Sequence, residues 1–298
     1  LAVLAALIVA GLLGVEKIGR RRARFHKSGR QLAPIQPQPL SSRQGAAVLL
    51  YCLVPMGLGF LIPLMVLVAP VVSDLSLWSD TGLWRAAAHS LALGGASAGL
   101  VVTLATVMVL GLQKTPAAWK KSLLTLTTVG YAFPGAVLGL GILIPLATFD
   151  NWLADLVFAT FRRDPGLLLT GSAGALIVAY CVRFFAIGVG AAEAGLAAIS
   201  TNIPLAASTL GRGPKDVLVN IYQPLMRGSL ASAMVLVFVD TVKELPATLL
   251  LRPFNFDTLS THVYAQASLE NFHGSTPAAL LIITLSLGAI FLLAKAHR

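Results

Sequence analysis

Residues 193–224 read EAGLAAISTNIPLAASTLGRGPKDVLVNIYQP, a mostly polar insert, punctuated by Gly and Pro, between two long apolar runs. Pro204 suits the first turn of a helix, and the residues that follow it are typical of a short helix with small side chains. Gly211 predicts the end of that helix, because glycine adopts the left-handed backbone conformation freely. A second helix is predicted at 215–222. The insert is therefore predicted to fold as helix, turn and helix.

The composition indicates what surrounds this insert. Of the 298 residues, 56% are hydrophobic and 11% are charged, which is too little charge to cover a soluble protein of this length. The net charge of +10 sits mainly in segments predicted to be cytoplasmic, so the positive-inside rule explains it better than nucleic-acid binding does. Cys52 and Cys181 lie within apolar runs, which disfavours a disulfide or a metal site. The chain is predicted to be an all-α polytopic membrane protein.

Apolar runs long enough to cross a bilayer define the order of the spans. Six complete spans are predicted at 45–72, 86–112, 123–149, 167–190, 225–251 and 276–294. Residues 1–15 are apolar but short, as expected for the end of a preceding, truncated transmembrane helix, and 16–44 form a basic linker. The basic residues predict that this linker is cytoplasmic. The alternation of spans then places the basic stretch 113–121, the 193–224 insert and the C-terminus on the same side, and 150–166 in an outer loop. Arg183 lies near the inner end of its span, where it can reach the headgroups.

The spacing of residues within the insert resembles the EAA loop of ABC importer permeases. Five positions match the family pattern: Ala206, Ala207, Gly211, Ile221 and Pro224. Two positions depart from it, since Leu205 stands where an acidic residue is usual and Gln223 where leucine is usual. The missing carboxylate leaves one electrostatic contact to the ATPase open, while docking itself is still expected.

This resemblance implies a fold and a set of partners. It implies the type I ABC importer transmembrane fold for residues 45–298, docked on a cytoplasmic dimer of ATPase subunits and served by a periplasmic solute-binding protein. Residues implied to couple the spans to the ATPase are Glu193, Pro204, Leu205, Ala206, Ala207, Gly211, Ile221 and Pro224. The chain lacks the GxxxxGK[ST] loop that binds nucleotide phosphates, so the ATPase is expected to be a separate chain. No catalytic site, metal site or cofactor is predicted.

The resemblance also implies a second permease half. The partial helix at 1–15, followed by a linker and six spans, predicts that this half lies upstream in the same full-length chain. In the family, two fused halves are common among ferric-iron importers. A half that forms a homodimer is the alternative.

Three ionisable residues fall within the predicted span 225–251: Asp240, Lys243 and Glu244. An ionised side chain at bilayer depth costs roughly 2.5 to 3.5 kcal/mol, so these residues are not expected to face lipid. A continuous helix would place all three on one face, with Lys243 paired to Asp240 and Glu244 in need of a donor from another helix. This face is interpreted either as part of the translocation path or the seam between permease halves, or as a buried polar network that fixes helix register.

Pro134 and Gly135 interrupt the predicted span 123–149. A proline followed by glycine weakens a helix, so this point is either a kink that serves packing or a hinge that serves gating. We group these two residues with the three ionisable ones as candidates for the translocation path or the seam.

Residues 243–261, KELPATLLLRPFNFDTLST, resemble the corresponding segment of ferric-iron permeases. The resemblance implies that the chain imports ferric iron across a bacterial inner membrane by alternating access. Thiamine, polyamine, phosphonate and sulfate permeases share the loop and remain alternatives. An ion-coupled secondary transporter could use Asp240 and Glu244, although it has no reason to carry the 193–224 insert. A membrane-embedded enzyme would need polar catalytic clusters that the sequence lacks.

His262, Glu270 and His273 lie in the segment 252–275, which is predicted to be on the outer side and partly helical from 259 to 269. Their spacing gives no coherent ligand face, so a docking surface for the solute-binding protein is favoured over a metal site.

Overall fold

The computed structural model describes residues 40–162, 166–200 and 202–296, and every regular element within these ranges is helical. The helices are α1 (Ser42–Met56), α2 (Ile62–Ser73), α3 (Thr81–Gly111), α4 (Ala117–Ala132), α5 (Gly135–Phe161), α6 (Ala173–Ala197), α7 (Asn202–Thr209), α8 (Pro214–Val217), α9 (Gln223–Val242), α10 (Pro246–Leu251), α11 (Leu259–Ser268) and α12 (Phe272–Ala296). The truncated helix predicted at 1–15 and most of the linker predicted at 16–44 lie outside the described residues.

Within the described ranges, six helical stretches are long and apolar enough to cross a membrane. They are Ser42–Ser73, Thr81–Gly111, Gly135–Phe161, Ala173–Ala197, Lys215–Val242 and Phe272–Lys295. The predicted all-α polytopic architecture with six complete spans is therefore confirmed.

The chain divides into two compact units, Leu1–Ile62 and Pro63–Arg298. In the described part of the first unit, α1 begins with a capping box in which Ser41 and Gln44 satisfy each other's backbone N–H groups. A π-helical turn at Gly57–Leu61 follows α1. Large apolar side chains along α1, such as Leu50 and Tyr51, are exposed, which suits a helix whose surroundings are hydrocarbon rather than water.

The core of the second unit is formed by α3, α6 and α9, which pack against one another in all three pairings. Small residues make these contacts close: a Cβ added at Gly188 of α6 would lie 2.8 Å from Val101 Cγ1 of α3. A Cβ added at Gly94 of α3 would lie equally near the Phe238 ring of α9. Such close approach is how helices associate in lipid, where burial of apolar surface supplies little driving force.

The remaining helices of this unit surround the core. Helix α4 packs on α6, α10 packs on α5, and α11 packs on α12. The predicted helix near residue 259 is confirmed as α11, which begins at a second capping box formed by Thr258 and Thr261.

The third predicted span, at 123–149, is wrong in position. The chain breaks at Phe133 and Pro134, both of which have extended ψ values of about 140°, and this break separates α4 from α5. Proline has no N–H to donate and disfavours helical geometry in the residue before it, so one helix ends there and another begins. The span is therefore Gly135–Phe161, and most of the stretch expected to be an outer loop from Asp150 onwards is helical.

The fifth predicted span, at 225–251, is also interrupted. Helix α9 ends at Val242 and α10 begins at Pro246, so Lys243, Glu244 and Leu245 form a break between them. Pro246 occupies a first helical turn, where its missing N–H costs least. At the other end, the helix predicted at 215–222 is α8 followed by a π-helical turn, Leu218–Tyr222, that continues into α9.

Candidate functional site

The segment from 193 to 224 folds as predicted around its turn. Gly211 has a φ of 79°, in the left-handed region, and its N–H donates to the carbonyl of Ser208 over 3.1 Å. The next amide, that of Arg212, returns to the carbonyl of Ala207, also over 3.1 Å. Glycine is the residue that adopts this conformation without steric cost, so Gly211 ends α7 and turns the chain towards α8.

Helix α7 lies on the surface of the second unit. Among its residues only Ala207 is buried, whereas Leu205 is 63% exposed and Leu210, just after it, is 82% exposed. Pro204 is half-buried and Ala206 is exposed. Two large apolar side chains are therefore left uncovered at this short connection between two spans.

The second half of the segment is attached to the bundle. Asp216 accepts from Arg212 over 2.7 Å and also from Asn220, which stabilises the turn after Gly211. Tyr222 donates its hydroxyl to Gln113 Oε1 over 3.1 Å, just beyond the end of α3. The segment is thus fastened to α3 by its second half, while α7 is presented outward. Of the remaining predicted coupling residues, Ile221 is half-buried and Pro224 is exposed.

Glu193 lies four residues before the end of α6 and is half-buried. It shares a surface depression with Lys120 of α4. The short basic stretch at 113–121 and the 193–224 segment, both predicted to be cytoplasmic, therefore meet at one end of the bundle.

A second group of predicted residues meets at the two helix breaks. Glu244 is 7% exposed, and its Oε2 lies 2.9 Å from Arg183 Nε of α6. The Nε–H is not aligned for a hydrogen bond, so the contact is an ion pair, while Nη1 of the same guanidinium donates to the Phe133 carbonyl over 3.1 Å. A Cβ added at Gly135 would lie 2.5 Å from Glu244 Oε1. Phe133 and Gly135 at the first break and Glu244 at the second thus surround Arg183. We call these four residues the Arg183–Glu244 cluster.

Two expectations about these charges are corrected. Arg183 is not directed to the headgroups, because its guanidinium is the counter-ion of buried Glu244. Nor do the three ionisable residues share one helical face, because α9 ends before Lys243. The expected pair of Lys243 with Asp240 is present at 2.7 Å, with the lysine more than half exposed.

Hydroxyl groups satisfy the backbone at the second break. The Glu244 carbonyl accepts from Thr248 Oγ1 over 2.7 Å and from Ser260 Oγ over 2.8 Å. Thr248 Oγ1 lies in turn 2.6 Å from the Tyr180 hydroxyl of α6. The break is therefore tied to α6 and α11 by buried hydrogen bonds, which are costly to leave unmade in a region without water.

Two residues of the structure, Asp150 and Arg183, have only weak signals in the sequence. The carboxylate of Asp150, which the prediction placed at the start of an outer loop, is buried and accepts from the backbone N–H groups of Leu168, Leu169 and Thr170 at 2.7 to 2.9 Å. It holds the chain before α6 against α5. The signal for Asp150 was that an acidic residue stands at the edge of an apolar run. The signal for Arg183 was that Glu244 needs a cationic partner from another helix.

The opposite end of the bundle carries the histidine that was considered for metal binding. His262 Nε2 lies 3.7 Å from Asp80 Oδ2, whereas Glu270 and His273 flank the junction of α11 and α12. In the part of the chain that the structure describes, no group of three or more His, Cys, Asp or Glu side chains could hold a metal ion.

The helices share their fold with chains of two solved bacterial ABC transporters. A bacterial alginate ABC transporter, solved in complex with an alginate pentasaccharide-bound periplasmic protein, has a chain that superposes with a TM-score of 0.67 at 15% identity, covering 85% of this chain and 93% of that one. A second structure, of a bacterial ABC transporter involved in the import of alginate, gives a TM-score of 0.63 at 14% identity.

Sequence relatives have the same character. The chain is 31% identical over 160 residues to the Fe(3+)-transport system permease protein FbpB 2 of Haemophilus influenzae, a match covering 54% of this chain and 29% of that protein. It is 24% identical over 204 residues to the putative 2-aminoethylphosphonate transport system permease protein PhnV of Salmonella typhimurium, covering 68% and 71% of the two chains. No family model matches. The match thus spans about three tenths of the ferric-iron relative, and the resemblance to ABC importer permeases of ferric type is confirmed.

Proposed function

We propose that this chain is a permease half of an ATP-driven importer that moves ferric iron across a bacterial inner membrane. The observation that carries the proposal is α7, a short helix with exposed leucines, turned by a left-handed glycine and placed between two spans. An ABC permease needs such a surface to receive the motion of its ATPase, whereas an ion-coupled transporter or an enzyme does not.

The proposed mechanism assigns the two ends of the bundle. The end with the 193–224 segment faces the cytoplasm and docks on a dimer of separate ATPase subunits. The opposite end receives the solute from a periplasmic binding protein. A second permease half, upstream in the same full-length chain, completes the path, and Asp240, Lys243 and Glu244 together with Pro134 and Gly135 line that path or the seam.

Exchange of Gly211 for arginine tests the docking surface. In Gly211→Arg the left-handed backbone is strained and a long charged side chain is added at the end of α7, so the ATPase subunit is expected no longer to co-purify with the membrane-inserted permease. Gly213→Arg is the matched control, because it adds the same charge to the same turn at a glycine with open space around it and no positive φ. If Gly211→Arg co-purifies with the ATPase as well as Gly213→Arg does, the assigned role of the segment is wrong.

Ferric iron is favoured as the solute by the 31% identity with the iron-transport permease. A phosphonate is the second candidate, because the phosphonate relative aligns over a larger share of both chains, although at lower identity. Uptake into proteoliposomes containing the complete importer separates the two, if each solute is supplied on its own binding protein. Uptake driven by a proton gradient without ATP would instead support a secondary transporter.

A further inference from the structure

A groove with a volume of about 580 Å³ runs along the surface between α3 and α9. Buried Met226 and Val102 form its floor, and the more exposed Val107 and Met234 stand at its sides. The hydroxyls of Thr103 and Thr106 also lie in the groove, but each donates to a carbonyl of its own helix over 2.7 Å. Apart from Gln223 and Arg227, the walls are therefore effectively apolar.

The polar groups of this groove are concentrated at one end. Gln223 and Arg227 lie in the first turns of α9, next to the 193–224 segment. Within the described residues, the guanidinium of Arg227 has no hydrogen-bond or ion-pair partner, and no carboxylate lines the groove. Among the described residues, the guanidinium of Arg227 therefore lies beside the apolar part of the groove without a counter-ion.

The groove fits within one leaflet of a bilayer. Met234 lies seven residues after Arg227, which corresponds to about 10 Å along a helix axis. The hydrocarbon core of a bilayer is about 30 Å thick, so the groove beyond Arg227 covers roughly two thirds of the depth of one leaflet. With Arg227 at the level of the headgroups, the apolar walls lie at the depth of the fatty-acid chain.

We propose that this groove binds an anionic phospholipid of the leaflet on the side of the 193–224 segment. Its acyl chain lies along Met226 and Met234, and its phosphate pairs with Arg227, with Gln223 as a second donor. Basic pockets between transmembrane helices on the cytoplasmic side are where anionic headgroups bind. Because α9 continues directly from the segment that α7 belongs to, and Tyr222 of that segment is hydrogen-bonded to Gln113 just after α3, the bound lipid would hold that segment at a defined depth.

Photolabelling of the complete importer in nanodiscs tests this site. The probes are phosphatidylglycerol and phosphatidylcholine with identical acyl chains that carry a diazirine, and labelled peptides are quantified by mass spectrometry relative to peptides from α12. We expect several-fold more labelling of peptides around Met226 and Met234 by phosphatidylglycerol than by phosphatidylcholine. Arg227→Gln should lower the phosphatidylglycerol signal to that of phosphatidylcholine, while Arg227→Lys should retain most of it.

Arg85→Gln is the matched control, because Arg85 is an exposed arginine on α3 away from the groove, and its exchange should leave the labelling unchanged. Equal labelling by the two lipids, or labelling that is insensitive to Arg227→Gln, would overturn the proposal. So would a photoreactive amino acid at Val107 that crosslinks to the second permease half, because a protein would then occupy the groove.

Discussion

The carboxylate of Glu244 and the guanidinium of Arg183 meet at 2.9 Å and thereby join two interrupted helices. Glu244 belongs to the break between α9 and α10, and Arg183 also holds the Phe133 carbonyl at the break between α4 and α5. Each break frees backbone groups that a membrane protein has to satisfy internally. One arginine therefore serves both weak points.

Removal of Arg183 should destabilise the protein strongly. Arg183→Ala leaves Glu244 buried and unpaired, and loss of one partner of a buried pair costs about 3 to 5 kcal/mol, or somewhat less here because the arginine is one-fifth exposed. Lys243→Gln is the comparison, since it breaks a pair whose lysine is more than half exposed and should cost below about 1 kcal/mol. Thermal unfolding in detergent measures both. A smaller effect for Arg183→Ala than for Lys243→Gln would contradict the cluster's role.

Gly135 is expected not to tolerate a side chain. In Gly135→Ala the new Cβ would stand 2.5 Å from Glu244 Oε1 and would force the ion pair apart, at a cost of about 1 to 3 kcal/mol. Gly141→Ala on the same helix meets nothing within 4 Å and should be neutral or slightly stabilising. Unfolding temperature and ATP-driven uptake are the measurements. Equal unfolding temperatures and equal uptake for Gly135→Ala and Gly141→Ala would argue against close packing at the break.

Asp150 should matter more than its neighbour Asp155. Asp150→Ala removes the acceptor of three backbone N–H groups before α6, whereas Asp155 is exposed. We expect faster proteolytic cleavage near residues 166–170 and a lower unfolding temperature for Asp150→Ala than for Asp155→Ala. Indistinguishable proteolysis of the two variants would show that the loop is held by other contacts.

Lys243 separates a role in transport from a role in stability. Lys243 is a proposed path or seam residue with an exposed ammonium group. Lys243→Gln should therefore lower ATP-driven uptake several-fold, with little change in unfolding temperature. Lys295→Gln, which removes an exposed lysine near the end of α12 that has no proposed role, serves as a charge-matched control for uptake of the same solute. Normal uptake by Lys243→Gln would remove this residue from the proposed path.

Local signals were sufficient for the secondary structure of the 193–224 segment. Gly211 predicted the turn, because the left-handed conformation that ends a helix is one that glycine favours by itself. The number of spans followed from apolar length in the same way. Their boundaries were less secure: Pro134 and Pro246 were visible, but a proline within an apolar run is compatible with either a kink or a complete break. In this chain both positions are breaks.

What the sequence determined by itself was the membrane class, the six spans and the exposed turn at Gly211, since each depends on composition or on the conformational preference of one residue. Only the tertiary structure decided that Arg183 lies against Glu244 rather than at the headgroups, and that Gly135 leaves room for that pair. These residues are far apart in the chain, and their contact depends on how α4, α5 and α9 pack around α6. A distant charge pair has no local sequence signal, because the energy that selects it exists only after the helices have assembled.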